Sequence, residues 1–311
     1  MHPAKLTVAA SYGLCLAFLL TTSIGETKAA EFSWAKQLGG AGTGFVEALR
    51  VAVDTNGNVY TVGYFQNTVD FDPGPGVLNL TSGSTDAFIS KLDAAGNLVW
   101  ARQLGGTAGV VAEALALDAS NNVYVAGEFQ GVADLDPGPG VYSLTSAGAG
   151  DIYTLKLNSA GEFSWARQLA GVSFADTRGL AIDGAGGVYT VGSFQGTVDF
   201  DPGTGIFNLT ATSTDIYISK LNSAGAFVWA EQFAGTSYTS ASGAGTDLAG
   251  NVYVAGVFQA TVDFDPGPAA YTLTSAGSND GFITKLSSAG AFVWARSLAG
   301  ALLDSVSIIS I

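Results

Sequence analysis

This chain has 311 residues, of which 26 are acidic and 12 are basic, for a net charge of −14. So acidic a chain is poorly suited to nucleic acid, whose phosphates are bound by Lys and Arg. Its 48% hydrophobic content excludes a disordered protein, and 42 glycines with 11% aromatic and only 12% charged residues favour short strands and tight turns over amphipathic helices. We therefore predict an all-β fold.

The first 29 residues are typical of an export signal peptide. Lys5 precedes an apolar run from Leu6 to Ile24, and the small residues that follow place a cleavage site after Ala29. A membrane anchor is the alternative interpretation, but the fully apolar part is short and is interrupted by polar residues. We expect residues 30–311 to be a secreted or cell-surface domain that has no contact with the membrane after cleavage.

Cleavage at this site would remove every Cys, His and Met from the chain. The single Met1, His2 and Cys15 all lie in the predicted signal. The mature protein would then contain no disulfide, thiolate nucleophile, Cys/His zinc site or histidine general base.

The five tryptophans mark an internal repeat. They lie at positions 34, 100, 165, 229 and 294, within related segments such as "FSWAKQLGG" and "LVWARQLGG". Regular spacing over this distance indicates an array of one supersecondary unit. We place the repeats at about residues 41–106, 107–171, 172–235 and 236–300, with a partial repeat at 301–311.

Each unit reads as four strands in chain order. The first ends in a turn such as "DTNGN", where Gly and Asn suit a tight hairpin. The second has the form "VYTVGYFQ", an insert of the form "DFDPG" follows, and then come a third strand ("DAFISKL") and the Trp strand. A four-stranded unit that cannot bury its faces alone is typical of a propeller blade. We predict a β-propeller with four complete blades and a partial fifth blade formed by the N- and C-terminal strands. An imperfectly closed ring and a fragment of a longer array are the alternatives left open.

The hairpins of the form "AVDTNGNVYTVG", followed by "DAFISKLDAAGNLVWARQLGG", resemble the bacterial beta-propeller repeat (SBBP) family. The resemblance covers essentially all of residues 32–311. It implies a secreted or surface-exposed propeller without an established catalytic role.

The repeated insert contains the candidate metal ligands. Alternation along a strand places the two aspartates of each insert on one face, where a Ca²⁺ ion could bind between them. Asp before Pro-Gly is also ordinary turn chemistry, so a purely structural turn is the competing interpretation. In either case we expect the insert to be an extra hairpin at the rim, of little importance to the ring. The pairs are Asp70 and Asp72, Asp134 and Asp136, Asp199 and Asp201, and Asp263 and Asp265.

Other charged residues divide into repeating and non-repeating sets. The repeating Lys and Asp residues predict buried lysine stems whose amines reach carboxylates, and aspartates that form hydrogen bonds where the third strand begins. These residues are Lys91, Lys156, Lys220 and Lys285, and Asp86, Asp151, Asp215 and Asp280. The non-repeating acids are Glu47, Glu113, Glu128, Glu162 and Glu231. Nothing in the sequence groups these five residues.

The function expected from these patterns is a non-enzymatic structural or interaction module that binds an unidentified protein or carbohydrate through loops at one face of the ring. It has no certain cofactor, although weak Ca²⁺ binding is compatible with the Asp pairs. The alternative is a hydrolase or lyase acting on extracellular polysaccharide, which would require non-repeating acids such as Glu113 and Glu128 to lie within about 10 Å of each other.

Overall fold

A computed structural model describes residues 7–11, 14–18, 33–39, 44–171, 174–298 and 300. Every regular element in these ranges is a β-strand, and every strand pairing is antiparallel, so the all-β prediction is confirmed. The same ranges contain no helix that is long and apolar enough to cross a membrane. The C-terminal segment 301–311, predicted to be a partial repeat, lies outside the described residues.

The strands follow the order predicted from the repeats. A short hairpin within the predicted signal segment is formed by β1 (Thr7–Ser11) and β2 (Leu14–Phe18). The first unit contains β3 (Phe45–Val53), β4 (Val59–Asp70), β5 (Asn79–Leu92) and β6 (Leu98–Gly106). The second contains β7 (Val110–Leu117), β8 (Val123–Phe129), β9 (Val132–Asp134), β10 (Ser143–Thr145), β11 (Asp151–Leu157) and β12 (Phe163–Gly171).

The last two units repeat this plan. The third contains β13 (Gly179–Ile182), β14 (Val188–Asp199), β15 (Asn208–Leu221) and β16 (Phe227–Phe233). The fourth contains β17 (Thr239–Thr246), β18 (Val252–Phe258), β19 (Thr261–Asp263), β20 (Thr272–Thr274), β21 (Asp280–Leu286) and β22 (Phe292–Leu298). In each unit the first strand pairs with the second, the second with the third and the third with the Trp strand.

The hydrophobic core lies largely between neighbouring units. One cluster joins Tyr60 and Ile89 of the first unit to Val125 and Tyr153 of the second, and all four side chains are fully buried. A comparable cluster joins the third and fourth units. Because each face is buried against the next unit, the arrangement is propeller-like, as the repeat predicted.

The "DFDPG" insert is a hairpin, as predicted, but its expected unimportance is wrong. Its central apolar residue is fully buried in every unit, as Phe71, Leu135, Phe200 and Phe264. Its first strand also pairs with the end of the preceding Trp strand, for example Gly105 with Asp134 and Ala170 with Asp199. The insert therefore connects adjacent units through both its core residue and its backbone hydrogen bonds.

The tryptophans pack between units. The indole of Trp165 lies against Gly225 of the next unit, and its Nε1 donates a hydrogen bond of 3.2 Å to the carbonyl oxygen of Ser223. Trp34 does the same with the first unit, since its Nε1 lies 3.0 Å from the carbonyl oxygen of Ala94. Residues 33–39 thus occupy, against the first unit, the place that a preceding Trp strand would take.

Candidate functional site

The first strand of each unit, here called the inner strand, contains an irregularity next to the second strand. Register shifts interrupt β3 between Ala48 and Arg50, β7 between Ala112 and Ala114, and β17 between Ala241 and Gly243. In the third unit the backbone N–H groups of Asp176 and Arg178 continue the same pairing, onto the carbonyl oxygens of Ser193 and Val191. A bulge of this kind removes one residue from the strand alternation and directs its side chain differently from its neighbours.

Each bulge lies against a repeated glycine of the facing second strand. In the second unit a Cβ at Gly127 would lie 1.9 Å from the carbonyl oxygen of Val111, and Gly63, Gly192 and Gly256 meet the equivalent oxygen at 1.9 to 2.1 Å. No side chain can occupy that space. The Gly in the repeated "VG" and "AG" of the second strand is therefore a structural requirement of the bulge.

Three repeat positions around the bulge differ from unit to unit, although the residues around them repeat. At the bulge the four units have Leu49, Glu113, Arg178 and Ser242. Two residues earlier they have Glu47, Val111, Asp176 and Ser240, and on the facing second strand Tyr64, Glu128, Ser193 and Val257. The units are therefore alike in their packing around the bulge but differ there in charge.

The inner strands of neighbouring units lie side by side, so the variable positions meet. We define the inner-strand cluster as Arg50, Glu113, Glu128, Asp176 and Arg178. Arg178 is ion-paired with Asp176 at 2.8 Å, and the backbone N–H of Ser193 donates to the other oxygen of that carboxylate at 2.7 Å. Arg50 donates to the carbonyl oxygens of Leu49 at 2.8 Å and of Arg178 at 3.5 Å. Three different units thus contribute to a single cluster.

Burial controls the protonation of the two glutamates. Burial, together with the negative charges of Glu113 and Asp176, raises the pKa of Glu128 to about 8. Burial also raises the pKa of Glu113, although Arg178 opposes the shift. Oε2 of Glu113 is buried and has no hydrogen-bond partner among the described residues, and the same holds for Oγ of Ser193. Such orphaned polar atoms cost stability unless a ligand or water satisfies them.

Aromatic residues lie where the inner strands begin, at the same end as the cluster. The repeat-equivalent residues are Phe45, Gly109, Phe174 and Tyr238, each of which pairs with the Gln of the repeated "FQ". Phe174 and Tyr238 are each 45% exposed. Phe45 is half-buried, with its ring centroid 5.8 Å from that of Tyr64. Three of the four units therefore have an aromatic side chain at the start of the inner strand, four residues before the bulge.

Comparison with known families supports the repeat. Residues 33–64 match the SBBP family, described as a beta-propeller repeat. This confirms, for that segment, the resemblance to the SBBP repeat found in the sequence. The match ends at Tyr64, within the second strand of the first unit.

Two curated proteins are also similar to this chain. An uncharacterized WD repeat-containing protein of Acanthamoeba polyphaga mimivirus is 25% identical over 244 residues, or 68% of this chain. The regulatory protein FlaEY of Caulobacter vibrioides is 27% identical over 201 residues, or 58% of this chain. The matched regions span only 17% and 21% of those two relatives, so the similarity concerns a small part of each.

The structure groups two of the five non-repeating acids, contrary to the sequence-based expectation. Glu113 and Glu128 are neighbours in the cluster, whereas Glu162 is exposed in a turn, where it accepts a hydrogen bond of 2.7 Å from Asn158. Glu47 accepts one of 2.6 Å from Tyr64. Asp176 was missed altogether, as were the roles of the two arginines. A comparison of the four units position by position would have identified them, because a site should single out one or two units.

The four Asp pairs of the inserts have a common geometry. Oδ1 of Asp70 accepts from the backbone N–H groups of Asp72 at 3.0 Å and Leu78 at 2.8 Å, and Asp72 accepts from Gly74 at 2.8 Å. The other three pairs, Asp134 and Asp136, Asp199 and Asp201, and Asp263 and Asp265, repeat these bonds. This is the geometry that the structural-turn interpretation predicts.

The described residues contain no group of three or more His, Cys, Asp or Glu side chains arranged to hold a metal ion. The pair in the fourth unit differs from the others in its surroundings. Asp263 and Asp265 border a cavity of about 310 Å³ that is also lined by Glu231. Glu231 stands where the other Trp segments have Arg or Lys, as in "WARQL" and "WAKQL", and burial together with Asp265 raises its pKa to about 7.

The repeating lysines and aspartates have structural roles. The amines of Lys220 and Lys285 lie 3.2 and 3.0 Å from the turn carboxylates of Asp183 and Asp247, as predicted. Lys91 and Lys156 instead lie 4.9 Å from the ring centroids of tyrosines on the adjacent strand. The aspartates at the start of the third strand are buried and accept hydrogen bonds from the repeated Gln of the Trp strand in the first three units, which confirms their predicted role there.

Proposed function

We propose that this chain is an exported, non-enzymatic propeller module that binds a ligand at its inner-strand cluster. In this proposal the four units are four blades, and residues 33–39 and 301–311 contribute to a partial fifth blade. The similarity to the SBBP repeat and to a WD repeat-containing protein supports an interaction module. The observation that carries the proposal is that charge differences between the units are gathered on adjacent inner strands.

Binding is tested with arrays of immobilised glycans and peptides and the labelled full chain. We expect Glu113→Gln combined with Arg50→Met to abolish binding, whereas Glu162→Gln, which changes an exposed acid outside the cluster, should leave it unchanged. Circular dichroism and urea unfolding establish that each variant is folded. Binding that is unaffected by the double variant would refute the proposed site.

Export is proposed from the sequence of residues 1–29. The expected outcome in the native host is a mature chain outside the cytoplasm that begins at Ala30, as read by N-terminal sequencing. A chain that retains residues 1–29 in the cytoplasm would contradict the proposal.

Weak Ca²⁺ binding at the Asp pairs is proposed as a subsidiary property. Both aspartates of each pair already accept backbone hydrogen bonds, so calcium would have to use the second carboxylate oxygens and backbone carbonyls. The pair Asp263 and Asp265 is the first to test, because Glu231 adds a third carboxylate to the same cavity.

An acid–base enzyme acting on polysaccharide is the second candidate function. The observation that favours it is the proximity of Glu113 to Glu128, whose raised pKa would keep it protonated at neutral pH. A glycosidase of this type needs one protonated and one ionised carboxyl group. Hydrolysis of a polysaccharide panel that disappears in Glu128→Gln but persists in Glu162→Gln would establish it, and absence of turnover would support the binding module.

A further inference from the structure

The inner-strand cluster offers hydrogen-bond donors and acceptors close together. Arg50 and Arg178 are donors only, and Arg50 makes no ion pair among the described residues. Glu113 and Asp176 supply carboxylate oxygens, and the hydroxyls of Ser193 and Tyr64 can act in either sense. A ligand must therefore satisfy both kinds of group.

Within the ranges that the structure describes, two of these groups have a buried polar atom without a hydrogen-bond partner. Ser193 is only 2% exposed, yet its Oγ has no hydrogen-bond partner in the described part of the chain. The buried Oε2 of Glu113 is in the same condition. Among the described residues, seven buried side-chain atoms lack a hydrogen-bond partner, and these two belong to a glutamate of the cluster and to a serine whose backbone N–H donates to Asp176. Buried polar atoms are nearly always hydrogen-bonded in folded proteins, so each of the two would gain a hydrogen bond from a ligand.

The mixed charge of the cluster argues against ligands of a single charge. A cation would meet the guanidinium of Arg178, whose side chain is 46% exposed, and an anion would meet Asp176 and the glutamates. Neighbouring hydroxyl groups avoid this conflict, because each can accept from a guanidinium and donate to a carboxylate. An uncharged, polyhydroxylated ligand is the chemical class that satisfies both.

The aromatic side chains at the start of the inner strands offer the apolar contact that such a ligand needs. Phe174 and Tyr238 are each 45% exposed at the start of their inner strands, and Phe45 with Tyr64 forms a half-buried pair. Aromatic rings bring large apolar faces to ligand sites, and Tyr adds a polar group at the edge. The C–H face of a pyranose ring matches such a surface.

We propose that the inner-strand cluster binds a neutral saccharide, whose hydroxyls pair with Glu113, Arg50 and Ser193 while a pyranose ring stacks on the aromatic residues. This assignment rests on the proposed function and names its ligand class. It requires no chemical step, since the saccharide is bound and released unchanged.

The test is titration calorimetry of the full chain with neutral tetrasaccharides of glucose, xylose, mannose and N-acetylglucosamine. Oligogalacturonate and a lysine-rich peptide serve as the anionic and cationic probes. We expect measurable binding of at least one neutral tetrasaccharide. Loss of one stacking ring should weaken it at least about tenfold, as removal of a central aromatic contact commonly does.

Tyr238→Ala is the main variant, because an exposed side chain can be removed without disturbing the core. Ile206→Ala is its matched control, since Ile206 is 77% exposed on an insert and should leave affinity unchanged. Glu113→Gln should also weaken binding, and its folding is verified by urea unfolding. A saccharide affinity that is unchanged in both Tyr238→Ala and Glu113→Gln would overturn the assignment.

The remaining outcomes separate this inference from the proposed function. Preferential binding of oligogalacturonate or of the lysine-rich peptide at the cluster would overturn the neutral saccharide but leave a binding module in place. Absence of binding to all probes would overturn the saccharide, while the glycan and peptide arrays would still test the module. Cleavage of the tetrasaccharide during titration would replace binding by catalysis and overturn both.

Discussion

Replacing Glu128 with Gln tests whether the inner-strand cluster holds a carboxyl group that is costly to ionise. Burial and the charges of Glu113 and Asp176 raise the pKa of Glu128 from 4.5 to about 8. Each pKa unit corresponds to about 1.4 kcal/mol. Ionised Glu128 would therefore destabilise the fold by up to about 5 kcal/mol relative to its neutral form. Because Glu113 titrates together with Glu128, we expect an observed effect of about 3 kcal/mol.

The direction of the pH dependence follows from the raised pKa of Glu128. The unfolded chain loses this proton near the ordinary pKa of 4.5, whereas the folded chain keeps it up to about pH 8. The stabilising contribution is thus fully present below the unfolded pKa and is lost as the pH rises through the folded pKa. Gln is neutral at every pH. E128Q should therefore match the wild type below about pH 4.5 and exceed its free energy of unfolding by about 3 kcal/mol at about pH 9.

The assay is urea unfolding followed by tryptophan fluorescence, with wild type and variant measured side by side across this pH range. The difference between the two proteins isolates Glu128 from the other carboxyl groups, which titrate in both. Glu162→Gln is the control, because Glu162 is exposed and its replacement should give no pH-dependent difference. A difference between E128Q and wild type that stays constant across the range would refute the reasoning.

Three further predictions concern the fold and the inserts. Gly127→Ala should destabilise the chain by about 3 kcal/mol or more, because its Cβ would lie 1.9 Å from a backbone oxygen, whereas Gly109→Ala, with no atom within 4 Å of the added carbon, should be nearly neutral in urea unfolding. Trp165→Leu should cost about 3 kcal/mol, because its indole is 91% buried against the next unit, and the less buried Trp294→Leu should cost clearly less by the same measurement. If the Asp pairs bind calcium, millimolar Ca²⁺ should raise the Tm of the wild type and raise it less in Asp265→Asn, which leaves the other three pairs intact, and an unchanged wild-type Tm would leave the inserts as structural turns.

Local patterns predicted most of the fold. Five tryptophans spaced by 64 to 66 residues indicated the repeat, and alternating apolar residues between Asp, Asn and Gly turns indicated the strands. These features depend on contacts that recur in every unit, so four copies of one pattern reinforce the prediction. The candidate site could not be predicted in this way, because it consists of positions at which the units differ.

The importance of the insert could not be predicted from local sequence. "VDFDPG" reads as a strand end followed by a turn, and this is what the structure contains. That Phe71 is fully buried and that the equivalent strands pair with the preceding unit are properties of neighbouring units. The alternation of apolar residues within a single strand does not show which of them contact a different unit.

The sequence by itself determined the all-β class and the tight turns that join the strands, because hydrogen bonding and alternation act over a few residues. Only the tertiary structure decided which charged residues meet. The bulge takes Glu113 and Arg178 out of simple alternation, and the side-by-side packing of inner strands brings Arg50 to the carbonyl oxygen of a residue 128 positions away. Burial of apolar residues between units brings these two residues together. A short segment of sequence does not show which units will pack against each other.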